Sequence, residues 1–346
     1  MQIWPDRIKG IMDKEELILT LLNVVWSNIN PRLVKTNRNT KSKHFLKNDF
    51  QNAFVNRIVG FLGELAYVTV TADRPGIFPG GWFVPDEKED NPLAAKCYYT
   101  VADSIGGDLV KVYTVLAKHM PEKQLFVLVA QDGIDVRNLS RDSYAYYLFS
   151  RTESVFQQVS HTEFFQCWKK RGAPRPQLPD IRDQINRETV AYVKRLLSNS
   201  AISAEALRLK LLDRFVFDVE IAGHHLKGRP SDIDFIKLRS DGCIVPIDVK
   251  DKYVSRKGTL GVNLDHLPFF LDLDQIFGTE SQYVVRVSET GPDRALVEWR
   301  YIAMREFSLA RTGRGNCGAN GKDAEDTPEL PLADFKVWSP PGTKDP

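Results

Sequence analysis

At 346 residues, with 42% apolar and 27% charged residues, the chain holds enough Leu, Ile, Val and Phe for a sizeable core and has the length of two domains, or of one large domain with appendages. A formal net charge of +2 demands no polyanionic partner, although a local basic groove is compatible with it. The four cysteines, Cys97, Cys167, Cys243 and Cys317, are scattered without a CxxC pair, which excludes a zinc ribbon and a disulfide framework and suits a reducing compartment.

In chain order, MQIWPDRIKGIMDKEE has no apolar stretch after a basic start, so no secretory signal is expected. No apolar run reaches the roughly 18 residues of a membrane span, and a soluble, cytoplasmic protein without membrane contact is expected. Asp13 and Glu16 read as a capping box opening an amphipathic helix through Leu17, Leu21, Leu22 and Val25. A basic stretch, KTNRNTKSKHFLK (35–47), reads as a loop. A second helix is expected over 49–68, with Phe54, Ile58, Phe61, Leu62 and Leu65 on one side. Beyond the irregular DRPGIFPGGW, the runs GWFVP and LAAKCYYTVA suggest a β-hairpin, followed by a helix over 109–118 and a strand over 125–130. KKRGAPRPQLP, with its prolines, is the linker candidate. The chain then divides into an N-terminal α/β domain (1–168), a linker (169–180), a second α/β domain (181–310) and a mobile tail (311–346), rich in Gly, Pro and charge.

In the second domain, 181–197 and 203–215 have helical period, with Ser203 as N-cap. FVFDVEIA, SDIDFIKL and CIVPIDVK read as strands, the last two joined by the tight turn RSDG. A Gly/Lys-rich loop over 254–262 leads to the apolar run LPFFLDLDQIF, and SQYVVRVS and ALVEWRYIAM read as further strands. Side chains alternate along a strand, so Asp232 and Asp234 share one face, Asp248 and Lys250 share one face of the next, and the hairpin brings them together. Clustered aspartates make a hard, oxygen-only site for Mg²⁺ or Mn²⁺, and a lysine beside them can orient water and neutralise charge on a phosphate. The competing reading is a solvated hairpin face with a surface ion pair of little energetic worth. Against it stand Phe235, Ile236, Ile244, Val245, Ile247 and Val249, which mark both strands as central, where charges need a reason.

Asp234 followed by Asp248-Val249-Lys250 resembles the D…(D/E)xK signature of the PD-(D/E)xK, or restriction-endonuclease-like, nucleases. The resemblance covers 203–304 and implies an αβββαβ core. It makes Asp234 a metal-binding aspartate, Asp248 the second acidic ligand and Lys250 the catalytic lysine. Asp232 is an extra carboxylate, either a metal ligand in its own right or a group supporting the ligands, and Pro230 stands further from Asp234 than the family pattern has it. For the acid that many members add from a preceding helix, Glu205 is the candidate and Glu220 its competitor. The implied activity is a Mg²⁺- or Mn²⁺-dependent endonuclease acting on nucleic acid, with DNA as the expected substrate, restriction or phage defence as the setting, and a homodimer if both strands of a duplex are cut.

Two other readings stay open. A nucleotidyltransferase of the polymerase-β type also uses (D/E)h(D/E) with a third carboxylate, but the stretch Gly223 to Gly228 lacks its Gly-Ser pair and Lys250 has no role in it. A nuclease-like fold that binds nucleic acid without cutting is the other. The N-terminal half repeats the order of elements: Gly60-x-x-Gly63-Glu64, Pro85-Asp86, and then Ala94-Ala95-Lys96 resemble a degenerate module of the same family, with alanine in place of the second acid. Glu64, Asp86, Ala94 and Lys96 are therefore a candidate second site, with an alanine introduced at 94 to disable cleavage, or coincidence, as the alternatives. Lys252, Arg256 and Lys257 would rim the first site and contact a phosphate backbone; the stretch 35–47 and the cluster Lys169, Lys170, Arg171 and Arg175 are weaker candidates, and His224 and His225 read as loop residues.

Overall fold

The computed structural model describes residues 13–37, 43–72, 74–85, 91–168, 181, 185–222, 229–264, 266–314 and 326–339. The linker candidate, Asp86, and His224 with His225 lie outside them, as do the side chains of 35–47. The elements are α1 (Lys14–Asn37), α2 (Lys43–Thr71), β1 (Ile77–Phe83), β2 (Cys97–Ala102), α3 (Gly107–His119), β3 (Gln124–Ala130), β4 (Tyr144–Ser150), β5 (Val155–Val159), α4 (His161–Phe165), α5 (Arg187–Leu197), α6 (Ala204–Arg214), β6 (Ser231–Leu238), β7 (Ile244–Lys252), β8 (Thr259–Gly261), α7 (His266–Phe277), β9 (Gln282–Ser288), β10 (Leu296–Ala303), β11 (Arg311–Arg314), β12 (Asp326–Pro331) and β13 (Lys336–Val337).

The fold is mixed α/β. Ten strands form one sheet in the order β13-β10-β9-β7-β6-β1-β2-β3-β4-β5, and β11-β12-β8 form a small second sheet. Within the large sheet only β2–β3 and β7–β9 are parallel pairs, each joined by a helix, α3 and α7. The same sequence of an antiparallel pair, a helix and a parallel strand therefore runs outward on both sides of the central β1–β6 pair, which is antiparallel. The expected boundary between an N-terminal and a second domain consequently crosses a continuous hydrogen-bonded sheet.

Helices cover both faces. Leu109, Val112, Tyr113 and Leu116 of α3 and Leu267, Phe269, Phe270 and Leu273 of α7 share one core with Phe83, Tyr98, Ile233, Tyr283 and Val285. Leu17, Leu21 and Val25 of α1, Phe54, Ile58 and Leu65 of α2, and Leu207 and Leu211 of α6 share the other with Trp82, Tyr99 and Phe126. The stretch Asn52–Thr71 of α2 is long and apolar enough to cross a membrane, contrary to the expectation that no run would be. Here it is a core helix, with Phe54, Ile58, Phe61, Leu62, Leu65, Ala66 and Tyr67 buried.

Two further expectations are corrected. FVFDVEIA alternates like a strand, but Phe215–Ile221 continues α6 as a π-helix. Packing overrides strand propensity there: Phe217 stacks on Trp82 at 3.7 Å between ring centroids, and the fully buried Asp218 receives Arg214 at 2.6 and 2.7 Å, Arg57 at 2.8 Å, and Asn28. The tail is not wholly loose. β13 extends the sheet edge beside β10, and Trp338 packs on Tyr67 and Trp299 with Arg74 over its ring.

Asp218 joins α1, α2 and the α6 extension through groups that have little access to water. Removing it strands Arg214, whose side chain is 4% exposed. Asp218→Ala is expected to lose about 3–5 kcal/mol of unfolding free energy, measured by chemical denaturation.

Candidate active site

The hairpin that carries the motif is closed by Arg239 N–H donating to the Cys243 carbonyl at 2.9 Å, with Gly242 in the left-handed region at φ 82°. β6 and β7 pair from Leu238–Ile244 up to Phe235–Ile247 and then part, although both strands continue. In the opening, Asp234 Oδ2 accepts the Val249 N–H at 2.7 Å, so a side chain takes the place of a ladder carbonyl. Lys250 Nζ donates to Asp234 Oδ2 at 3.2 Å and to Asp248 Oδ1 at 2.5 Å. The expected convergence of Asp234, Asp248 and Lys250 is present, with both carboxylates almost wholly buried and the lysine 26% exposed.

A fourth group arrives from α2. A Cβ on Gly63 would lie 2.7 Å from the Lys250 carbonyl carbon and the Asp251 nitrogen, so only glycine lets this helix settle directly on β7. That contact brings the next residue, Glu64, to the cluster. Its carboxylate is in ion-pair contact with Lys210 of α6, which also lies 3.9 Å from Asp213. Trp82 Nε1 donates to the other oxygen of Asp213 at 2.8 Å. Glu64, Lys210, Asp213, Asp232 and Asp234 line one cavity of about 690 Å³, including its open mouth, with Leu65, Val68, Leu209 and Phe235 among its apolar walls.

The electrostatics follow from burial among like charges. Burial, reinforced by Asp234, pushes the Glu64 carboxyl up to about 8 against the pull of Lys210 and Lys250. Asp232 is raised by burial and by Asp234. Asp248 is raised by burial, with Lys250 opposing. Asp213 is pushed by burial to about 6, Lys210 opposing. Asp234 alone is held low: burial works against its charge, but Lys250, Lys210 and the Val249 N–H outweigh it. Burial also disfavours the Lys250 ammonium, yet Asp234 and Asp248 hold it charged well above the usual lysine range. With Asp234 and Asp248 both paired to it, Lys250 carries its positive charge in the metal-free protein.

Not every expected residue joins this cluster. Glu205 lies on α6 beside Arg208, which reaches Asp103, and so it is not the helix acid of this site. Glu220, on the π-helix, pairs with Arg141. Glu64 was expected with Asp86, Ala94 and Lys96 in a second site, but Ala94 and Lys96 are exposed at the turn before β2 while Glu64 is committed to Lys210. Lys252 ends β7, and Arg256 and Lys257 are exposed on the turn after it. Lys210, Asp213 and His266 were missed. His266 opens α7 with Nδ1 3.9 Å from Asp248 Oδ1, and no local motif announces any of the three.

The chemistry of the donors, though not yet their arrangement, is that of a hard divalent cation site. Glu64, Asp234 and Asp248 offer carboxylate oxygens, and the buried Asp248 Oδ2 has no hydrogen-bond partner among the described residues. Among those residues no group of three or more His, Cys, Asp or Glu side chains is arranged so that it could hold a metal ion as it stands, and Lys250 Nζ bridges Asp234 and Asp248.

Two measurements test this geometry. Gly63→Ala must separate α2 from β7, and a loss of about 1–3 kcal/mol is expected on denaturation. Glu64 supplies a pH dependence: in the metal-free protein the folded state keeps its proton up to about pH 8, while the unfolded chain releases it near 4.5. Unfolding free energy therefore falls as pH rises through this window, and Glu64→Gln should flatten the fall, read from denaturation curves at pH 5, 6.5 and 8.

Comparisons with family models, with curated proteins and with solved structures return no match to this chain.

Proposed function

We propose that the chain is a metal-dependent nuclease that hydrolyses phosphodiester bonds, with DNA as the expected substrate. The observation that carries this reading is the meeting of Glu64, Asp234, Asp248 and Lys250 where β6 and β7 part. The order of elements supports it in a different way from the sequence. A helix (α2), three antiparallel strands (β1, β6, β7), a helix (α7) and a strand parallel to the third (β9) follow the αβββαβ order of the PD-(D/E)xK family. On this reading 84–230 is an insertion between the first two strands, and the helix acid is Glu64, not Glu205.

Asp234 and Asp248, with Glu64, would hold Mg²⁺ or Mn²⁺. Bound there, such an ion polarises a phosphate and lowers the pKa of a coordinated water. Lys250, kept charged by two carboxylates, stabilises negative charge developing on the phosphate oxygens. Lys252, Arg256 and Lys257, at and beyond the end of the strand that carries Lys250, would contact backbone phosphates of the substrate. A nucleotidyltransferase leaves Lys250 without a role.

The test is cleavage of duplex DNA, single-stranded DNA and RNA with Mg²⁺ or Mn²⁺. The parent is expected to cut at least one of them, and Asp234→Ala, Lys250→Ala and Glu64→Gln each to slow cutting by about 10²–10³-fold while remaining folded. Variants as active as the parent would show that the site is wrongly assigned. Incorporation of labelled nucleotide without cleavage would favour the transferase.

A further inference from the structure

The cavity beside the catalytic cluster has a cause in the sheet. On the face of β6 that carries Asp232 and Asp234, β1 presents Trp82 opposite Asp232 and then no side chain, because its next position on that face is Gly80. A Cβ on Gly80 would collide with the Ile233 carbonyl oxygen, so no larger residue can fill the gap. Two helices roof it without closing it: α2 lines it with Leu65, Val68 and Thr71, and α6 with Ala206 and Leu209. From Glu64 to Thr71 the hollow follows α2 for two turns, roughly 10 Å.

At about 690 Å³ with its mouth, it has the size of a small-molecule site, roughly 300–1,000 Å³, and the character of one, with apolar walls and a few placed polar groups. Asp232 is the group in it with an unmet need. Among the described residues no hydrogen bond or ion pair reaches its carboxylate, whereas Glu64 and Asp213 have Lys210, and Asp234 has Lys250 and the Val249 amide. Two acceptor oxygens in an apolar-walled hollow call for a ligand with two N–H donors side by side.

Asp234 lines both the hollow and the catalytic cluster, so what enters lies next to the phosphate that the cluster would hold. A base stacked in a duplex cannot pass between two helices; one that has left the stack can. Guanine offers its ring N1–H and its exocyclic N2–H on one edge, a match for both oxygens of a carboxylate. Thymine has a single N–H there, and adenine and cytosine have an amino group beside an acceptor nitrogen.

We propose that the hollow receives one unstacked guanine of the nucleic-acid substrate, held between α2 and α6 and read by Asp232. The proposal deepens the nuclease reading above and rests on it. It adds a base preference at the cut and a preference for single strands, where a base leaves its neighbours at least cost.

The experiment is binding of the four deoxynucleosides, which carry no phosphate for the carboxylates to repel, to the full metal-free chain. It is read by saturation-transfer NMR at pH 8, which favours ionised Asp232, with thermal melts to confirm folding. Deoxyguanosine is expected to bind the parent about tenfold or more tighter than thymidine. Asp232→Ala is expected to bind the four alike, and Val68→Phe, which fills the hollow from α2, to bind none. If Val68→Phe does not fold, Asp232→Asn takes its place, expected to lose the preference because an amide offers one acceptor where guanine needs two. No binding by the parent, equal binding of the four, or a guanine preference kept in Asp232→Ala overturns the proposal. If that parent still cuts nucleic acid, only the guanine site is lost. A parent that prefers deoxyguanosine through Asp232 but cuts nothing keeps the site and sinks the nuclease reading.

Discussion

The interaction on which the site depends is the bond from the Val249 amide to the Asp234 carboxylate, made where the β6–β7 ladder ends. A buried strand amide needs an acceptor, and here a charged side chain supplies it. Lys250, Lys210 and this amide together hold Asp234 in its ionised form, and where the ladder ends Lys250 reaches two carboxylates at once. On the same strand, the absence of a side chain at Gly63 lets α2 close on the β7 backbone at Lys250 and Asp251. Glu64 follows from that contact, and Lys210 follows from Glu64.

Charge balance then explains why the cluster is stable enough to form. A lone buried carboxylate gives up its charge, and Glu64, Asp232 and Asp248 are each pushed in that direction by burial. The two lysines counter this from different elements, one on the sheet and one on a helix, so each side of the site has a cation among its carboxylates. The same logic operates at a distance from the site, where Asp251 is buried beneath Arg286 and Arg294, and Asp218 beneath Arg214 and Arg57. Each arginine pair ties a helix or hairpin to the end of β7 or to the α6 extension.

The continuous sheet has a consequence for the way the halves cooperate. Because β1 pairs with both β2 and β6, the segment 84–230 returns to the strand beside the one it left. It carries α6 back across the face of the sheet already occupied by α2, where Lys210 meets Glu64. Elements that are far apart in the chain therefore furnish one site, and the repeated order of strands and helices on the two sides does not produce two equivalent sites.

By itself the sequence determined what local chemistry controls. The alternation of SDIDFIKL and IVPIDVK, the Asp241-Gly242 turn and the Ser203 cap specify a hairpin and a helix start, and with them the meeting of Asp234, Asp248 and Lys250. Gly63-Glu64 was visible as a motif, but its partner was not, since the strand it touches lies almost two hundred residues later. Only the tertiary structure decided that Glu64 and not Glu205 faces these aspartates, that FVFDVEIA winds as a helix around a buried Asp218, and that Lys210 belongs to the site. The reason is physical: periodicity and turn residues act within a few positions of the chain, whereas burial and ion pairing are set by whichever elements the sheet brings together.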